Sequence, residues 1–107
     1  MSRTFEQIQD LVARGEIRIS EHGYDELAMD DIFVDAIFAG VTGGLVIEDY
    51  PNYHKGPCVL VLQRDQHQRP IHVVWGIPKE ASTPAVLVTA YRPDPASWSD
   101  DFLRRKE

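Results

Sequence analysis

The sequence predicts an α+β domain, with helices through the N-terminal part and an antiparallel sheet of about four strands in the C-terminal part. Three observations predict it. Apolar residues recur at helical spacing as far as residue 40. The period shortens to two after Gly43 and Gly44. The strand-like runs that follow are joined by short polar or proline-bearing connections. Short connections favour antiparallel pairing, because parallel neighbours need long crossovers.

Phe5, Ile8, Leu11 and Val12 recur three or four residues apart along one helix face (i, i+3, i+6 and i+7), which predicts a helix over residues 4–14 with Thr4 as N-cap and Gly15 at its end. Ile17-Arg18-Ile19 alternates and reads as a short strand or an extended lead-in. Ser20 is placed to cap a second helix over residues 21–29, whose early acids Glu21, Asp25 and Glu26 suit the helix dipole. Asp30 or Asp31 is expected to cap a third helix, residues 31–39, that stops at Gly40. Strands are then predicted over residues 45–50, 58–64, 70–77 and 85–92. A loop spans 51–57, a polar hairpin turn 65–68, a second loop 78–84, and a turn or short helix follows at 94–98. Val59, Val61, Ile71, Val73 and Leu87 are expected to pack against Leu11, Leu27 and Ile37.

A chain of 107 residues suits a single domain, residues 1–107. Net charge is −6, unevenly placed: residues 1–50 hold 3 basic and 11 acidic side chains, whereas residues 51–79 hold 4 basic and 1 acidic. The acidic total opposes non-specific binding of nucleic acid, which rests on phosphate neutralisation. The basic middle reads either as a local anion site or as a charged sheet edge. No apolar leader opens the chain, and no apolar run nears the roughly 20 residues needed to cross a bilayer. Cys58 is the one cysteine, so no internal disulfide forms, and a cytoplasmic setting is expected.

Four histidines are present. His54 and His67 fall in predicted loops. His72 falls on a strand face with Val74 and Gly76, opposite Ile71, Val73, Trp75 and Ile77; it reads either as a packed, hydrogen-bonded residue or as a proton-transfer group in a cleft. In the last strand, Leu87, Thr89 and Tyr91 are expected to share a face, with Val88 and Arg92 opposite. Arg92 reads either as a phosphate or carboxylate contact or as the partner of a nearby acid such as Asp94. His22 and Glu26 have helical i, i+4 spacing, but no third metal ligand stands at motif spacing, so no metal or cofactor is called for.

Five segments in order then carry a resemblance: Ile19-Ser20-Glu21-His22-Gly23; Asp35-Ala36-Ile37-Phe38-Ala39-Gly40; Ile47-Glu48-Asp49-Tyr50-Pro51; Arg69-Pro70-Ile71-His72-Val73-Val74; and Val88-Thr89-Ala90-Tyr91-Arg92-Pro93-Asp94-Pro95 with Trp98. Over residues 17–98 the chain resembles the bacterial domain-of-unknown-function family 4258. That resemblance implies a toxin ribonuclease fold of the RelE/MqsR type, a small zinc-finger antitoxin as partner, and metal-independent RNA cleavage. In such chemistry a base takes the proton of the ribose 2′-OH, an acid protonates the leaving oxygen, and a cation steadies the phosphorane. Here His72 would transfer protons, with His22 and Tyr91 in support. Arg92 would grip the phosphate, and Arg69 and Arg64 would add positive charge. Position 26 departs from the pattern, with Glu where family helices carry Arg. The alternative is a non-catalytic domain that binds a partner protein.

Overall fold

The computed structural model describes residues 2–106. Three helices, α1 (Arg3–Ala13), α2 (Glu21–Met29) and α3 (Val34–Gly40), pack on one face of a five-stranded sheet. The strands are β1 (Ile17–Ile19), β2 (Leu45–Tyr50), β3 (Cys58–Arg64), β4 (Pro70–Gly76) and β5 (Ala85–Tyr91). They lie in the order β1-β5-β4-β3-β2. The four strands after Gly44 pair antiparallel, as their short connections require. The count of four is corrected to five: the Ile17-Arg18-Ile19 lead-in is a strand, paired parallel with residues 85–87 of β5.

Helix boundaries follow from capping chemistry. Ser2, not Thr4, caps α1: its Oγ accepts the Phe5 N–H at 3.0 Å, which moves the helix start forward and buries Thr4 in the first turn. Ser20 caps α2 as expected, its Oγ accepting the Gly23 N–H at 2.9 Å. The start of α3 is corrected from residue 31 to Val34. Asp31 is left-handed (φ 53°), and the N–H groups of Asp31 and Ile32 bond back to the carbonyls of Ala28 and Leu27. That is a Schellman arrangement, so the aspartates end α2 rather than begin α3.

The core lies between helices and sheet. Ile8, Leu11, Ile37, Val59, Val61, Ile71, Val73, Trp75 and Leu87 are at most 2% exposed. One polar side chain is built into it: Gln63 accepts the Trp75 indole N–H at 3.0 Å and donates to the Ile37 carbonyl at 2.8 Å, tying β3 to β4 and to α3.

Strand β5 departs from simple alternation. Its pairing with β4 passes over Val88, so Leu87 opposes Trp75 and Thr89 opposes Val74. The expected grouping of Leu87 with Thr89 and Tyr91 is thereby corrected. Leu87 and Ala90 face the helices, whereas Val86, Val88, Thr89 and Tyr91 face the opposite, outer side. A second bulge in β2, at Ile47, sets Glu48 opposite Leu60 and Tyr50 opposite Cys58.

Leu87 sits at 0% exposure where α2 meets the sheet. Leu87→Ala is expected to lower unfolding free energy by about 2–5 kcal/mol in urea denaturation. A loss under about 1 kcal/mol would place the residue outside the core.

Candidate functional site

The outer sheet face divides into two halves. Over one half, the chain beyond β5 folds back. A turn at Asp94 leads to Trp98, which bridges to Arg105, and Ser99, Arg104, Ser97 and Lys106 bond to each other through their backbones. His72 lies beneath this segment with 0% exposure. Its Nε2 is 2.8 Å from the Phe102 carbonyl and its Nδ1 is 3.3 Å from the Tyr91 hydroxyl. A carbonyl can only accept, so Nε2 carries the proton and Nδ1 accepts from Tyr91. The Trp98 ring stands edge-on to the imidazole at 4.3 Å, and the Arg105 guanidinium stacks on Trp98 while reaching Glu48. Burial, helped by the Arg105 charge and opposed by the Phe102 carbonyl, holds His72 below the ordinary imidazole value, so the neutral ring is favoured. Burial also raises the Tyr91 phenol.

Arg92 is engaged at the end of β5. Its Nη2 bonds Asp65 Oδ2 at 2.8 Å, its Nη1 bonds the Pro70 carbonyl at 3.2 Å, and its backbone N–H donates to Asp30 Oδ2 at 2.8 Å. The acid that holds it is thus Asp65. That carboxylate also accepts the His67 and Arg69 N–H groups, shaping the β3–β4 turn. Burial alone would raise the Asp65 carboxyl, but these backbone hydrogen bonds and the guanidinium outweigh it and hold the carboxyl below its usual value.

The sequence-selected residues therefore gather only in part. His72 and Tyr91 touch. Arg64, Arg69 and Arg92 surround one turn, with the Arg64 guanidinium on the Gln68 carbonyl and His67 exposed beside them. His22 stands apart, exposed on the first turn of α2 and 3.6 Å from Glu26, so the unexpected glutamate is its neighbour. Among the described residues, no three side chains of His, Cys, Asp or Glu cluster as metal ligands.

The other half of the outer face is a bare groove of about 550 Å³. Arg18 of β1 stands at one end. Val86, Val88, Val74, Gly76 and Cys58 form the floor, and Tyr50, Tyr53 and Lys55 close the far end. The loop carrying Lys55 is held down at Gly56, whose φ is +118° and where a Cβ would run into the Ile77 carbonyl. Burial raises the Cys58 thiol, so it stays protonated near neutral pH. Sequence reasoning missed this groove. Its one signal was Gly76 inside an apolar strand, a position that marks close approach by something else.

A family model described as "Domain of unknown function (DUF4258)" matches residues 19–92. The chain belongs to this family. No curated protein and no solved structure matches it. Within the match lie His22, His72, Tyr91 and Arg92, together with Asp65 and Asp30; the residues that cover His72, from Trp98 onward, lie beyond it. No helix among the described residues is long and apolar enough to cross a membrane.

Two outcomes are expected of this DUF4258 chain. Arg92→Ala leaves Asp65 buried without its cation and should cost about 3 kcal/mol of stability, read by urea denaturation. For His72, the folded pKa lies below the unfolded value of 6.5, so between the two the unfolded chain binds more protons. This contribution is complete above about pH 6.5 and is lost as pH falls through the folded pKa. Wild type should therefore lose more stability than His72→Asn between about pH 7.5 and 5.5; equal losses would show that His72 does not couple folding to pH.

Proposed function

We propose that this chain is a non-catalytic module that binds a partner protein, and that the partner adds a strand along β2. The observation that carries the proposal is the open edge of β2. It is the outermost strand on its side of the sheet, and among the described residues its backbone bonds only to β3 and to the Tyr53 turn. Leu45, Val46 and Tyr50 are exposed on it. Such an edge is a template for another chain unless it is covered. Asp49, in no ion pair among the described residues, and Glu48, which is shared with Arg105, make it acidic, which favours a partner strand bearing Lys or Arg. A second copy would instead set these acids against their own counterparts. The family resemblance suggests a small zinc-finger antitoxin as this partner, and the lone Cys58 fits a cytoplasmic setting. The sealed state of His72 and the pairing of Arg92 support a binding role over a catalytic one.

A second reading, toxin-like RNA cleavage on a RelE/MqsR-type fold, is favoured by one observation: Arg64, Arg69 and the exposed His67 share a turn. In that reading His67, rather than His72, is the imidazole open to an RNA phosphate.

The two readings separate in one set of measurements. An acetylated peptide alternating lysine and valine should shift the backbone amide resonances of residues 45–50. Asp49→Lys should weaken the peptide by up to about fivefold, the scale of an exposed ion pair. A glutamate–valine peptide should not bind. Shifts absent from β2 would remove the strand-addition reading. Incubation with single-stranded RNA should give no cleavage; cleavage that disappears in His67→Ala would install the second reading instead.

A further inference from the structure

We propose that the bare groove on the outer sheet face binds a small apolar carboxylate, its hydrocarbon part on the valine floor and its carboxylate between the cationic ends. The charge of the lining is the first argument. The chain has 17 acidic and 11 basic side chains, yet the charged residues that line the groove are Arg18 and Lys55, both cationic. Among the described residues neither is held in an ion pair or a side-chain hydrogen bond. Arg92, in contrast, is bound to Asp65 and is not offered to a ligand.

Shape is the second argument. A volume of about 550 Å³ falls in the range of small-molecule sites, roughly 300–1,000 Å³. Val74, Val86 and Val88 face outward here by alternation with the inward Val73, Trp75 and Leu87, and the folded-back segment over His72 leaves Val74 and Val88 partly exposed, while Val86 lies deeper in the floor. Gly76 gives the floor its depth. A Cβ at that position would meet the Pro57 carbonyl, Val88 and Cys58 at 3.5–3.7 Å, ordinary contact distances, so a side chain there would occupy ligand space without forcing the backbone.

Cys58 reports on the site directly, since it is the one thiol of the chain and lies on the floor. Its alkylation by iodoacetamide at mildly alkaline pH should be slowed by decanoate. Acetate, which has the charge without the tail, should not slow it, and octanol, a tail without the charge, should do so only weakly. Replacing Arg18 and Lys55 together by Gln should raise the half-protecting decanoate concentration about tenfold and leave the octanol effect unchanged. Added salt should weaken decanoate but not octanol. Gly76→Val should abolish protection by both. Both cations are exposed, so the Arg18/Lys55 variant carries the test alone should Gly76→Val fail to fold by circular dichroism. Decanoate that leaves the Cys58 rate unchanged, or that protects no better than octanol, overturns the proposal. Protection that survives in the Arg18/Lys55 variant at unchanged concentration overturns it as well.

Discussion

A single hydroxyl sets the register on which both faces of the sheet depend. Ser20 Oγ accepts the Gly23 N–H at 2.9 Å and donates to the Val88 carbonyl at 2.7 Å. It thus starts α2 and pins the bulge of β5 in one contact. The bulge turns Tyr91 outward to His72 while leaving Leu87 and Ala90 in the core. Gly23 completes the junction: a Cβ there would stand 2.8 Å from the Leu87 carbonyl, so the first turn of α2 can lie against the β5 backbone only without one. Shift that register by one residue and Leu87 would exchange places with outward-facing neighbours.

Periodicity revealed most of the architecture because burial on one side imposes it. The helical stripe of Phe5, Ile8 and Leu11 and the alternation of Ile71, Val73 and Trp75 both survive in the folded core. What periodicity could not reveal were events that break it. A bulge costs a strand one position, and nothing in Val86-Leu87-Val88-Thr89 distinguishes which residue is passed over. The Asp30-Asp31 pair was equally ambiguous, since aspartate caps a helix start but also tolerates the left-handed conformation that ends one. The parallel partner of Ile17-Arg18-Ile19 lay some 70 residues away, beyond the reach of local pattern.

The candidate site was legible as a set of residues but not as a geometry. Histidine and arginine on strands stood out in the sequence, and each has an evident physical explanation in the fold. His72 fills a polar gap under Trp98. Arg92 neutralises Asp65 and joins the β3–β4 turn to the end of β5. The partner acid could not be picked from sequence, because Asp65 and Asp94 are both turn residues and only the pairing of three strands brings the former to Arg92. The groove was harder still: its cations come from β1 and from the loop after β2, and only the strand order places them at opposite ends of one surface.

Apart from Arg92 Nε, which is buried without a partner, the matched segment supplies its own polar network, whereas the fate of His72 does not depend on that segment alone. Ser20 with Val88, Asp30 and Asp65 with Arg92, and Gln63 with Trp75 and Ile37 all lie within residues 19–92. Each satisfies a donor or acceptor that burial would otherwise leave costly, so these residues are explained by the fold itself. His72 is different. Tyr91 serves one ring nitrogen from inside the segment, but Phe102 serves the other and Trp98 shields the ring from outside it. Remove that cover and the same strands would present an imidazole and a phenol together on an open sheet face. Whether His72 can meet a ligand is therefore decided by residues 98–105, not by the strand that carries it. In this chain those residues hold it as a neutral, fully bonded part of the interior.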